Sequence, residues 1–227
     1  MKKANLDNLN NLLLFTKELL RQWEKNEDSL NFNIKYWSKN GLIIPLKKGK
    51  YILKSRFEKE ENKDLYLEYL ANKIYEPSYI SGEYIMSKYN LLTEAVYGIS
   101  SVTTKKTKSF DNKLGKFNYY SLSPRLFFGY GSVKFYSASI MVAKKSKAVL
   151  DYLYLRFCKN ALISEKAIEE LRINWENLNK NEFLELEKYA VIANNKRTLK
   201  VISLIKQKYY DGANFKNNRS RKKITGK

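Results

Sequence analysis

At 227 residues the chain is long enough for two domains, and its 44% apolar content, with 18 Tyr and 11 Phe, excludes a disordered or fibrous polymer. Forty-three Lys and Arg face 23 Asp and Glu, and the net charge of +20 points to a polyanionic partner, nucleic acid before an anionic membrane. The absence of histidine removes Ser–His and Cys–His nucleophile pairs and histidine-containing zinc sites, which leaves an enzyme only lysine, tyrosine and carboxylate chemistry.

The first 55 or so residues read as helix, helix, helix, hairpin. Leu6, Leu9 and Leu13 recur at helical spacing. Thr16 is placed to cap a second helix from Lys17 to about Glu24, with Leu19, Leu20 and Trp23 inward. Ser29 is read as the N-cap of a third helix that stops at Asn40, with Gly41 in the left-handed position after it. On that helix Leu30, Ile34 and Trp37 share the core face, and Asn31, Phe32, Lys35, Tyr36 and Lys39 fall on the opposite one. Amides for base edges, cations for phosphate or guanine and rings for thymine methyls are what a recognition helix presents. Two short apolar strands follow, Leu42–Leu46 and Lys50–Leu53, and Lys47-Lys48-Gly49 joins them with a glycine suited to the turn. Lys47, Lys48 and Lys50 cluster at the tip, so helix, glycine, strand, basic turn and strand together predict a winged helix-turn-helix over residues 1–56.

Residues 56–64 are charged and read as a linker. A larger domain over 57–210 begins with a helix from Asp64 to Ile74, and Ser81 is placed to cap another over 82–89. Strand patterns follow at 98–104, 116–122, 127–128 and 133–136, and helices return at 143–157, 164–171, 181–190 and 196–209. The expected fold class is α+β, the second domain holding a small, mostly antiparallel sheet and several helices. Residues 211–227 are polar and basic and are expected to be a disordered tail.

Charge is not spread evenly. Residues 29–56 carry seven cations and no acid, 95–147 carry ten against Asp111, and 212–227 carry six against none. Everything outside these windows sums to −2, which is the clustering of a phosphate-facing surface rather than of a uniformly lysine-coated one. In the middle window Lys105, Lys106 and Lys108 lie on an expected strand, Lys106 and Lys108 on one face and Lys105 with Thr107 on the other. With Arg125, Lys134, Lys144, Lys145 and Lys147 they form a candidate second basic surface, for DNA, RNA or neither. The lone Cys158 excludes an internal disulfide, and neither a signal peptide nor an apolar run of spanning length is present, so a cytoplasmic protein is expected. Glycine-rich phosphate loops are absent, and no catalytic residue, cofactor or metal ligand is assigned.

Tyr79-Ile80-Ser81-Gly82 leading to Tyr89-Asn90-Leu91-Leu92, then the run from Ser101 to Phe110 (SVTTKKTKSF), and later Lys147-Ala148-Val149-Leu150-Asp151-Tyr152-Leu153-Tyr154-Leu155, form a series. It resembles the AbiEi-like antitoxins of abortive-infection, type IV toxin–antitoxin systems, over roughly residues 15–157. The resemblance implies a winged helix that binds inverted repeats in operator DNA upstream of its own operon and represses it. It also implies a second domain that counteracts a nucleotidyltransferase-like toxin encoded alongside, and a protein that is a monomer or a DNA-dependent dimer away from membranes. Phe32 departs from the pattern, because a small polar or basic residue is more usual there. The rival readings are an orphan regulator without a toxin and a metal-dependent nuclease with a winged-helix reader. For the nuclease, Asp111-Asn112-Lys113 or Glu61-Asn62-Lys63 would supply half a motif, with both triplets expected in loops.

Overall fold

The computed structural model of the chain describes Leu6 and residues 8–211. The expected tail therefore lies, beyond Asp211, outside the described residues, as does most of the start of the first expected helix. Residues 8–11 form a turn rather than continuing a helix, although Leu6 and Leu9 are buried as their spacing requires.

Strand β1 (Phe15–Thr16) runs straight into helix α1 (Lys17–Arg21), because the Thr16 hydroxyl accepts from Leu19 N at 3.3 Å and starts the first turn. Helix α2 (Glu27–Lys39) begins three residues before the position expected from Ser29 as its N-cap. Its N-cap is Asn26, whose Oδ1 accepts from Ser29 N at 2.9 Å, while Glu27 and Asp28 in the first turn offset the helix dipole. The Asn26→Ala variant is expected to lose about 1 kcal/mol and Ser29→Ala close to none in thermal melts. A larger loss at Ser29 than at Asn26 would return the cap to Ser29.

Gly41, at φ +66°, turns the chain out of α2 into a hairpin of β2 (Ile43–Lys47) and β3 (Lys50–Leu53). Three antiparallel strands result, in the order β1-β3-β2. Pro45 is tolerated because β2 is an edge, and the register shifts between Pro45 and Lys47. Pleat alternation then divides the hairpin. Ile43, Tyr51 and Leu53 enter a small core with Phe15, Leu20, Leu30 and Trp37, whereas Ile44, Leu46 and Ile52 enter the large core of the rest of the chain.

The segment expected to be a linker starts within a helical turn, α3 (Lys54–Glu58), and ends in the first turn of the next helix, held down by apolar and ionic contacts. Arg56 lies over the rings of Tyr66 and Tyr136 at 5.5 and 5.2 Å and pairs with the buried Glu60 at 2.8 Å. Helix α4 (Lys63–Ile74) follows, and its Tyr66 hydroxyl donates to Leu13 O at 2.6 Å, tying the segment before β1 to the large core.

The second sheet is larger than expected and mixed. It has six strands, β4 (Ser78–Ile80), β5 (Ile99–Thr103), β6 (Lys108–Asn112), β7 (Gly115–Ser121), β8 (Tyr130–Phe135) and β9 (Ala138–Ala143), in the order β6-β7-β5-β4-β9-β8. Two pairs, β5–β7 and β4–β9, are parallel, and the other three are antiparallel. The parallel pairs arise because the β6–β7 and β8–β9 hairpins each return their second strand beside the central β4–β5 pair. Residues 127–128, expected in a strand, lie instead after a 3-10 turn, and residues 104–107 form the loop into β6.

Helix α4 covers one face of this sheet, where Tyr119 donates to Ala71 O. Helices α5 (Glu83–Lys88) and α6 (Lys145–Phe157) cover the other. Ser81 does not cap α5, contrary to expectation; that position belongs to Gly82 at φ +66°, and the Ser81 hydroxyl donates to Asp151 of α6 at 2.7 Å. Helices α7 (Glu165–Glu169), α8 (Lys180–Ala193) and α9 (Lys196–Ile205) form an outer layer behind α6. No helix among the described residues is long and apolar enough to cross a membrane.

Candidate nucleic-acid interface

The amphipathic spacing of α2 fixes which side chains face out. Leu30 and Trp37 are buried and Ile34 packs against them, so Phe32 and Tyr36, about 100° and 140° round the helix from Asn31, are left 70% and 52% exposed. Between α2 and the hairpin lies an open groove of about 630 Å³. Asn31, Ile34, Lys35, Ser38 and Lys39 line it from the helix, Pro45, Lys47, Lys48 and Tyr51 from the hairpin, and Lys113 from the turn between β6 and β7. Five of these are lysines and none is an acid.

The groove residues are not equivalent. Lys35, Lys39 and Lys48 are exposed. Lys47 is half-buried, and burial together with the neighbouring cations Lys50, Lys108 and Lys105 holds its ammonium below the usual lysine value. The Oδ1 of Asn31 accepts from Lys17 at 2.7 Å, and the same ammonium pairs with Glu27 at 2.7 Å. Arg21 and then Lys17 bring the Glu27 carboxyl down to about 2, so the first turn of α2 is clamped to α1 at any ordinary pH. With its oxygen engaged, Asn31 offers a donor to acceptors such as guanine O6 or thymine O4 instead of the paired contact that an amide makes with adenine.

Lys50 is not part of the groove. It sits on the same face of β3 as Ile52, which the large core covers, and its ammonium donates to Lys73 O and lies 3.5 Å from Glu76. The expected basic tip is therefore Lys47 and Lys48 alone.

The expected second basic surface does not assemble. Lys147 is fully buried in α6, paired with Asp151. Lys144 and Lys145 are exposed and half-buried, and are engaged by Glu185 at 3.2 Å and Glu182 at 2.8 Å. Lys134 is exposed on β8, the sheet edge opposite β6, five interstrand steps or about 24 Å from Lys108. Arg125 is exposed on the 3-10 turn between β7 and β8. Lys105, Lys106 and Lys108 are exposed at the β6 edge, and Lys105 and Lys108 instead stand close to Lys47.

What joins the two regions is an edge-to-edge approach. The shift in β2 frees the Leu46 carbonyl, and Asn112 Nδ2 donates to it at 3.1 Å. This hydrogen bond sets Lys113 beside the groove. In the sequence Lys113 stands out only as the end of a nuclease-like triplet, and the one local cue to its place is Gly115, whose φ of +122° allows the tight β6–β7 turn. Asp111 of that triplet is exposed on an edge strand, and among the described residues no group of three or more His, Cys, Asp or Glu side chains is placed to hold a metal ion. No protein-family model matches the chain, and no curated protein sequence matches it either.

Proposed function

We propose that this chain is a duplex-DNA-binding transcriptional regulator that reads bases through α2. The observation that carries the reading is the acid-free lysine groove between α2 and the β2–β3 hairpin, flanked by the exposed Phe32 and Tyr36. The element order and the β1-β3-β2 sheet support a winged helix, in which α2 enters the major groove and the hairpin meets the adjacent backbone. In that docking Lys35 and Lys39 reach guanine edges or phosphates, Phe32 and Tyr36 supply apolar contact to thymine methyls, and Lys47 and Lys48 neutralise phosphate. On its resemblance to AbiEi-like antitoxins, the regulator represses its own operon and antagonises a nucleotidyltransferase-like toxin.

The test is competition between labelled duplex from upstream of its own gene and a scrambled duplex of equal composition. The Lys35→Ala/Lys39→Ala variant is expected to lose about 1–3 kcal/mol of preference for the upstream duplex for each base it no longer reads, while keeping salt-sensitive binding to both duplexes. Equal affinity of the unaltered protein for the two duplexes would overturn the reading and reduce the +20 charge to a phosphate attractor.

A further inference from the structure

Beside the α2 groove, the β6 edge carries an arrangement of cations that the helix–hairpin reading does not use. Phe110 of β6 has two ammonium groups against its ring, Lys47 of the hairpin at 5.7 Å and Lys108 of its own strand at 5.1 Å from the centroid. Its neighbour Tyr75, 5.8 Å away ring to ring, carries a third, Lys105, at 5.5 Å. Each ring face orders a flexible lysine stem and leaves its charge outward, which lowers the entropy lost when an anion binds.

Among the described residues the repulsion among these lysines is not relieved by a paired acid. Among the described residues no ion pair uses Lys105, Lys108 or Lys113. Glu76, whose charge reaches Lys47, is already engaged by Lys50 and by Lys73 at 2.7 Å. Asp111 alternates onto the face of β6 opposite Phe110. A row of like charges with no internal counterion is what a polyanion stabilises.

We propose that the β6 edge is a second phosphate-binding rail, in which Lys105, Lys108 and Lys113 grip the backbone of the same duplex beyond the hairpin. From Lys108 to Asn112 the strand spans about 13 Å, and at 3.4 Å per base pair this adds about four base pairs to one flank of the site. The rail rests on the duplex reading of the α2 groove. It differs from it in kind: the lysines along this edge fix position and strength, and α2 selects sequence. The hydrogen bond from Asn112 to Leu46 holds the rail against the hairpin that lies beside the reading helix, so the second domain lengthens the footprint on that flank.

The experiment compares the protein with its Lys105→Gln/Lys108→Gln/Lys113→Gln variant on the upstream duplex, by salt titration and hydroxyl-radical footprinting. A control variant, Arg125→Gln/Lys134→Gln, removes exposed cations away from that edge. The rail variant is expected to show a log K against log salt slope shallower by about 0.9 for each phosphate left without its lysine, two to three units in all. It should also lose about four base pairs of protection on one flank and keep the ratio between upstream and scrambled duplex. The control should match the unaltered protein. If the unaltered protein prefers the upstream duplex and the rail variant has the same slope and footprint, the rail is wrong and the α2 reading stands. If the unaltered protein binds both duplexes alike and the rail variant still has the shallower slope, the α2 reading fails and the rail survives. No binding to either duplex overturns both.

Discussion

The Lys147→Met variant is expected to lose about 3–5 kcal/mol of stability in urea unfolding, because it leaves a buried carboxylate without its cation. Lys147 and Asp151 are 0% and 1% exposed, one turn apart on α6. The Lys147 ammonium donates to Asp151 Oδ1 and stands 4.9 Å from the Phe128 ring centroid and 5.5 Å from that of Tyr79. Oδ2 accepts from Ser81 at 2.7 Å and Tyr79 at 2.9 Å, so β4 and α6 are joined through one carboxylate. Space for the lysine stem comes from Gly129, where a Cβ would lie 3.0 Å from it, and methionine keeps a stem of similar length. The loss therefore reports the charge rather than a cavity. Burial pushes the Asp151 carboxyl up and the Lys147 ammonium down, and each is opposed by the other. Without the ammonium the carboxyl rises further. A carboxyl whose folded value lies above its unfolded one holds a proton that the unfolded chain has released, so its penalty eases as pH falls. The variant should regain stability between pH 8 and pH 5 by more than the unaltered protein does. A second change, Asp151→Asn, keeps an acceptor for Ser81 and Tyr79 and should recover much of the loss. A loss below about 1 kcal/mol with no pH trend would show that the pair is dispensable.

That pair also marks where sequence reading stops. Lys147 sits in a basic window and groups there with surface cations, and only its place four residues before Asp151 on an apolar helix hints otherwise. Its burial depends on Tyr79, Ser81 and Phe128, which lie 19 or more positions away in the chain. The same distinction separates the lysines of the hairpin. Alternation along β3 is legible, but it tells which face Lys50 shares and not that a second core covers that face. The strand expected over residues 103–108 forms instead at Lys108–Asn112, a segment with one large apolar residue and low strand propensity that is a strand because β7 pairs with it along its whole length. By contrast α2 is legible almost completely. Leu30, Ile34 and Trp37 set its core face, Gly41 ends it, and Asn31, Lys35 and Lys39 reach the groove as the helical period requires. Local periodicity decides which residues of α2 face out, while the composite groove, with Lys113 brought in from 74 positions beyond Lys39, depends on pairing between distant edges.

The Trp37→Ala variant is expected to let the small core melt apart from the large one and abolish the preference for the upstream duplex. Trp37 is 3% exposed and fills the small core against Leu30, Phe15 and Tyr51, and its carbonyl accepts from Leu42 N at 2.8 Å at the turn into β2. Truncation of a buried tryptophan costs about 3–5 kcal/mol, a large share of what so small a core supplies. The hairpin should stay in place, because Ile44, Leu46 and Ile52 belong to the large core and Asn112 holds the β2 edge. What disappears is the seat of α2, and with it the alignment of Lys35 and Lys39 opposite Lys47 and Lys48. Thermal unfolding should then split into an early and a late transition. The two remaining tryptophans, Trp23 beside α1 and the buried Trp175 in the large core, allow fluorescence to follow the split. Preference for the upstream duplex should vanish with the early transition, while the late one stays within a few degrees of the unaltered protein. A single transition at lower temperature would mean that the two cores melt as one unit, and an upstream-duplex preference that outlasts an early transition would mean that the hairpin and the β6 edge position the DNA without α2.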